Sequence, residues 1–267
     1  MTSGRVEGAG NLHRLPVALP AHMCLFYQPF YNLYSDRLQG YEALVRHYDS
    51  LHDTYSTATS LIAQWSDAQL TAVDEWVVEE AAQRLCTWRR EVADKNLILS
   101  INISLSSLNN AAFRSYIERV ISSLGIPLDR VLLDLPAATI STLSPRSETF
   151  DGIDRLRSKG FSFCVDGLDA ASAEFMGEHI WRVVDIAKLS PRVLSGTAQS
   201  AALERLCADL SRRDLPVVAA GVESREHLEL VRSLGCEWAQ GFFLGEPALA
   251  SELPAQHLTL TGPGAAS

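Results

Sequence analysis

Short apolar runs rich in Val, Ile, Leu and Phe recur along this chain. Longer stretches separate them, in which the apolar residues fall three and four positions apart. The runs read as buried strands and the stretches as amphipathic helices. Strands are predicted at 24–30, 38–46, 97–104, 131–136, 161–167, 183–190, 216–222 and 238–245. Helices are predicted at 67–91, 109–123, 147–159, 197–213 and 224–234. In the first of these, Trp76, Val77, Ala81, Leu85 and Trp88 mark one apolar face.

Strands alternating with helices imply a mainly parallel sheet, and eight of them suggest closure into a barrel. Only residues 31–37 separate the first two strands, too few for a parallel crossover. The first strand is therefore expected to run antiparallel to the second. The fold class predicted is α/β, a (β/α)8 TIM-like barrel with an antiparallel first strand. One barrel domain is expected over residues 22–252. Residues 1–21 and 253–267, rich in Gly, Pro and small residues, read as flexible tails.

Composition narrows the function classes. A net charge of −9 argues against non-specific binding to nucleic acid or to acidic membranes. The five cysteines lie far apart and form no C-x-x-C pair, so they read as reduced core thiols. No signal-like leader opens the chain, and no apolar run approaches the roughly 20 residues that span a bilayer. A cytoplasmic location is expected. The histidines show no metal-ligand spacing.

The strands carry polar residues where a barrel interior is ordinarily apolar. Glu42, Asn102, Asp134, Asp166, Lys188 and Gln240 each lie in an apolar run, and Glu223 follows another. Desolvating an isolated ion costs several kcal/mol, so converging acids need a cation among them. Carboxylates with an amide oxygen are hard ligands, suited to Mg²⁺, Mn²⁺ or Ca²⁺. Lys188 is a second source of positive charge. Each residue alone also fits an exposed strand end or a structural ion pair.

In order along the chain these residues resemble the EAL domain, a bacterial domain that hydrolyses cyclic di-GMP. "YQPFYNLYSDRLQGYEALVR" is similar to the family's opening, with Glu42-Ala43-Leu44 as the tripeptide, Gln28-Pro29 ahead and Arg46 behind. "SINIS", "AGVES" and "LGCEWAQGFFLGEP" resemble three later family motifs. The resemblance implies a barrel with an antiparallel first strand, and two Mg²⁺ or Mn²⁺ ions that activate a water against a phosphodiester. It places Glu42, Asn102, Asp134 and Asp166 as ligands of the first metal, with Asp134 standing for a family glutamate. Lys188, Gln240 and Glu223 match further active-site positions. Gln28, Leu44, Arg46, Glu246 and Pro247 match ligand-contact regions.

The departures bear on activity. Where the family reads D-D-F-G-T-G, this chain has Asp166-Gly167-Leu168-Asp169-Ala170-Ala171, so Gly167 stands at the second-metal position. Ala220 stands where the family has the glutamate assigned as metal ligand or general base. The loop-anchoring glutamate is Ala137, and the aspartate near the family lysine is Ser190. The proline-rich and acidic loop after the second strand is replaced by "YDSLHDTYSTATSLIAQWSDA". A positioned general base is worth about 10²–10⁴ in rate, and a second ion supplies several kcal/mol more.

Hydrolysis of cyclic di-GMP is therefore not expected at a useful rate, and a metal is expected at one site or none. Three readings stay open: a cyclic di-GMP receptor, a regulator acting on a protein partner, and a low-activity phosphodiesterase. A homodimer fits the family. Asp169 is a candidate replacement for the missing second acid. Trp65 and Trp181 are candidates for a partner surface, with core packing as the ordinary reading.

Overall fold

A computed structural model describes residues 22–91, 96–194 and 200–253. The tails predicted at 1–21 and beyond 253 lie outside the described residues, as do the first positions of the helix predicted at 197–213.

Ten strands form one sheet: β1 (Met23–Asn32), β2 (Arg37–Asp49), β3 (Thr54–Thr57), β4 (Ile98–Asn102), β5 (Val131–Pro136), β6 (Ser162–Leu168), β7 (Ile186–Leu189), β8 (Val217–Ala219), β9 (Trp238–Gln240) and β10 (Ala248–Leu249). Eight of them close a barrel in the order β1-β9-β8-β7-β6-β5-β4-β2, with β2 returning to β1. β1 is antiparallel to both neighbours, and the other barrel pairings are parallel. The four-residue link 33–36 forces this, since it permits a hairpin and nothing longer.

Two strands were not expected. β2 runs beyond its parallel partner and pairs with β3, making an exposed hairpin arm at the C-terminal mouth of the barrel. β10 pairs with β1 at Phe26 and Tyr27. Three predicted strands are shorter than their apolar runs: 183–190, 216–222 and 238–245 shrink to three or four residues. β9 stops because Gly241 lies against the backbone of Val222, where a Cβ would come within 2.2 Å of the Val222 carbonyl oxygen. The Val222 N–H bonds to Gln240 O and its carbonyl accepts from Phe243 N, a tie between neighbouring strand ends.

The helix Asp67–Glu91 packs on β1 and β2 through Trp88, whose ring meets Tyr27 edge-on and Tyr41 at 4.3 Å. The predicted helix 109–123 is two, Leu105–Asn109 and Ala111–Ser123, divided at Asn110, which caps the second. Glu148–Lys159, Ser200–Arg212 and Arg225–Ser233 cover later strands as expected. Most of the core lies between helices and barrel.

Inside the barrel is a separate apolar layer of Phe30, Ile98, Leu132, Cys164, Ile186, Val218 and Trp238, one from each of seven strands. β2 contributes Gly40, where a Cβ would strike Phe30 Cζ at 2.8 Å and the Ile98 carbonyl oxygen at 2.1 Å. This layer is the floor on which the site stands.

Candidate active site

Side chains of a strand return to the same face every second residue. One such step from the floor toward the mouth gives Gln28, Glu42, Ser100, Asp134, Asp166, Lys188, Ala220 and Gln240. Seven of these eight are polar. The barrel therefore presents a polar ring directly above an apolar floor, and Ala220 is the gap in it.

Lys188 is the hub of the ring. Its ammonium is bonded to Asp134 Oδ2, lies 3.2 Å from Glu42 Oε2 and 3.7 Å from Asp166 Oδ1. Glu42 also accepts from Asn102 Nδ2 at 3.0 Å and Gln240 Nε2 at 2.8 Å. Gln240 bonds in addition to Gln28 Oε1 at 2.9 Å, and Gln28 Nε2 donates to the Gly245 carbonyl. Ser100, not anticipated from the sequence, donates to Asp134 Oδ2 at 2.7 Å. The period-two spacing that marks Asp134 also marks Ser100, two positions below Asn102.

Charge is distributed unevenly over this cluster. Burial tends to raise Glu42, yet Lys188 and the bonds from Gln240 and Asn102 outweigh it and hold Glu42 below the ordinary carboxylate range. Burial prevails at Asp134 and pushes it up to about 7, against the pull of Lys188 and with the help of Glu42 and Asp166. Asp134 has no exposed surface, and its Oδ1 has no hydrogen-bond partner. Burial works to neutralise Lys188, but the three carboxylates keep it charged, with its pKa above the ordinary value.

Glu42, Asp134 and Asp166 each offer an oxygen, all within 4.8 Å of one another. These hard donors fit one Mg²⁺, Mn²⁺ or Ca²⁺, and the orphaned Asp134 Oδ1 is a buried acceptor still to be satisfied. Around the position that the family resemblance gives to a second ion, the described residues offer fewer donors. Gly167 is exposed, has no side chain, and sits at φ +73° beside a bulge in β6. Ala220 has no donor. Asp169 is committed elsewhere: its carboxylate caps the helix Ala170–Glu174, accepting from Ser172 N at 2.8 Å and Ser172 Oγ at 2.7 Å. Ser190 likewise caps a short turn at Pro191–Val193.

Above the ring opens a cavity of 490 Å³ lined by Glu42, Asn102 and Asp166, by Leu44 and Arg46 on β2, and by Trp65. Arg46 is half-buried, its guanidinium 5.9 Å from the Phe26 ring and bonded to the Val45 carbonyl. It makes no ion pair with Glu42 among the described residues. Not every expected residue joins the site. Glu223 is exposed, and only its backbone N–H is engaged, with His227. Glu246 is exposed and Pro247 half-buried, next to the Gly245 carbonyl held by Gln28. Trp181 is buried beneath Arg213, as the ordinary reading of that residue had it.

One further acid lines the cavity. Asp74, on the Asp67–Glu91 helix, accepts from Ser104 N, Ser104 Oγ and Ser107 Oγ at 2.6–2.9 Å. It thereby holds the turn that follows Asn102.

A family model described as the EAL domain matches residues 13–247. The chain belongs to the EAL domain family. It is 25% identical over 236 residues to the oxygen sensor protein DosP of Escherichia coli, covering 86% of this chain and 29% of that protein. It is 24% identical over 232 residues to the cyclic di-GMP phosphodiesterase PA2567 of Pseudomonas aeruginosa, covering 86% of this chain and 39% of the relative. The chain thus spans about a third of the length of such relatives. Among solved structures, the EAL enzyme Bd1971 in its cAMP- and cyclic-di-GMP-bound form superposes with a TM-score of 0.75 at 19% identity, over 86% of this chain and 63% of that one. That likeness is one of fold. The EAL domain here is the whole barrel, and no described helix is long and apolar enough to cross a membrane.

Proposed function

We propose that this EAL domain binds cyclic di-GMP in the cavity above the polar ring and acts as a receptor rather than a hydrolase. The observation that carries this is the pair of gaps at the two places where a second metal and a base would be held. Ala220 is the one apolar member of the ring, and Gly167 offers no ligand beside Asp166. The remaining groups suit binding. Arg46 presents a guanidinium, which pairs bidentately with phosphate. Glu42, Asn102, Asp134 and Asp166 would hold one Mg²⁺ or Mn²⁺, which would draw a phosphate oxygen to the ring.

A receptor of this kind needs a protein partner to read its state, in a cytoplasmic signalling setting. Exposed Phe175 (76%) and Phe242 (61%) are apolar surface that such a partner would cover. A homodimer is one form of that contact.

Titration calorimetry with cyclic di-GMP, once with Ca²⁺ and once with EDTA, tests the proposal. Saturable binding with no linear dinucleotide formed in Mg²⁺ or Mn²⁺ is the expected result. Multiple turnovers abolished by Asp166→Ala would establish a low-activity phosphodiesterase instead. Absence of binding in both titrations would leave a protein-interaction regulator without a nucleotide.

A further inference from the structure

A second cavity, of 680 Å³, opens where β1 meets the helix Asp67–Glu91, β10 and the arm. None of its lining residues borders the cavity above the ring. Small-ligand sites combine apolar walls with a few convergent polar groups, in volumes of this order. Here Met23, Leu25, Trp76 and Leu249 supply apolar surface, and Tyr27, Glu80 and Arg84 are prominent among the polar groups.

These three polar groups are unmatched. Tyr27 is 4% exposed, yet its hydroxyl has no hydrogen-bond partner among the described residues. A buried phenol normally finds one. Glu80 and Arg84 lie one helical turn apart, a spacing at which glutamate and arginine ordinarily pair. Burial raises the Glu80 carboxyl and Arg84 lowers it, but the two make no ion pair at contact among the described residues. Both charges are also felt at the Tyr27 hydroxyl, which burial raises most, with Arg84 opposing and Glu80 adding to the rise. An acid, a base and a phenol therefore line one cavity without satisfying one another.

An anion would suit Arg84 and the hydroxyl but would bring a like charge beside Glu80. A cation would do the reverse. A zwitterion answers both, its carboxylate accepting from Arg84 and from the Tyr27 O–H while its ammonium donates to Glu80. An apolar body beside these charges would lie on the surface of Trp76 and Leu25.

We infer that this cavity is a second ligand site, and that its ligand is a small zwitterion with an apolar body, the chemistry of a free amino acid with a large apolar side chain.

Titration calorimetry on the full chain, without cyclic dinucleotide, tests this. The probes are L-phenylalanine and L-leucine, with 3-phenylpropionate, which lacks the ammonium, and 2-phenylethylamine, which lacks the carboxylate. Saturable binding of an amino acid with a Kd below about 1 mM is expected, and at least about tenfold weaker binding of both analogues. Arg84→Met should weaken the amino acid by roughly 10- to 150-fold, the worth of a hydrogen bond to a charged group. Glu80→Gln should erase the preference over 3-phenylpropionate. Tyr27→Phe keeps the ring against Trp88 and should cost roughly 2- to 10-fold. Thermal melts of each variant confirm folding.

Three outcomes overturn the inference: no saturable binding of either amino acid up to about 10 mM, an analogue that binds as tightly as L-phenylalanine, or an unchanged affinity in a folded Arg84→Met. The receptor proposal stands or falls separately, since the two cavities share no residue.

Discussion

The Lys188 ammonium is bonded to one oxygen of the Asp134 carboxylate, while the other oxygen of that carboxylate has no partner. Both residues are buried inside the barrel, so solvent screens the pair only weakly. The half-satisfied carboxylate explains why burial lifts Asp134 while Glu42, with donors from Asn102, Gln240 and Lys188, is held down.

Removing the hub leaves the ring's carboxylates clustered without their cation. Breaking one partner of a buried pair costs about 3–5 kcal/mol. Lys188→Met is expected to lose about that much in urea denaturation without change in the slope of the transition. Adding Asp134→Asn to the same chain should restore part of the loss, because one of the three carboxylates left without a cation is then neutral.

Asp74 gives the fold a pH dependence. Burial raises its carboxyl to about 6, against the lowering effect of its bonds from Ser107 and Ser104. Its folded value lies above the ordinary 3.8, so the folded chain holds a proton that the unfolded chain has released. The stability it contributes is fully present below about pH 4 and is lost as pH rises through about 6. With one pKa unit worth 1.36 kcal/mol, the loss is about 3 kcal/mol. Asp74→Asn keeps an acceptor oxygen and has no charge, so a denaturation series from pH 4 to pH 7 should show the decline flattened. A variant that retains the wild-type slope would assign the decline to other groups.

Arg46 stands on the extended part of β2, beyond the last residue paired to β4. Its side chain stacks near Phe26 and forms no ion pair among the described residues, so it is available to an anion. Hydrogen bonds to charged groups contribute about 1.5–3 kcal/mol. Arg46→Ala is therefore expected to weaken cyclic di-GMP binding by roughly 10- to 150-fold in calorimetry, and Arg46→Lys to recover only part of it. Equal affinities for all three chains would remove Arg46 from the site.

The barrel was legible because its signals are local. Short apolar runs, helical periodicity between them and a short first link fix the eight barrel strands and the direction of β1. Glu42, Asp134, Asp166, Lys188 and Gln240 were legible as polar exceptions in those runs. Ser100 was not, since a serine in an apolar strand is too ordinary to stand out until the ring places it against Asp134. The arm formed by β2 and β3 escaped notice because its strand Thr54–Thr57 is wholly exposed and has no apolar alternation. Trp65 offered two readings, core or surface; it packs on the core and also lines the cavity. That position depends on the Thr59–Ile62 turn and the arm coming together, contacts that no spacing in the sequence encodes.

The two gaps define the last experiment. At Gly167 a Cβ would meet nothing within 4 Å, so an added side chain has room; the cost is the φ of +73°, where Asp is among the better-tolerated residues. At Ala220 a glutamate would complete the polar ring on the one strand that lacks a polar side chain. Alone, each change adds an acid to a site already rich in carboxylates, so each should lower the melting temperature without metal. Gly167→Asp with Ala220→Glu is expected to bind Mn²⁺ at a ratio of two per chain where wild type binds one. The melting temperature of the double variant should accordingly rise more on adding Mn²⁺ than that of wild type. Linear dinucleotide should form from cyclic di-GMP at least about 100-fold faster than with wild type, the lower end of what a positioned base supplies. Two bound ions with no gain in product would move the block to Asp134, whose carboxylate lies buried against Ser100 and Lys188 instead of reaching the cavity.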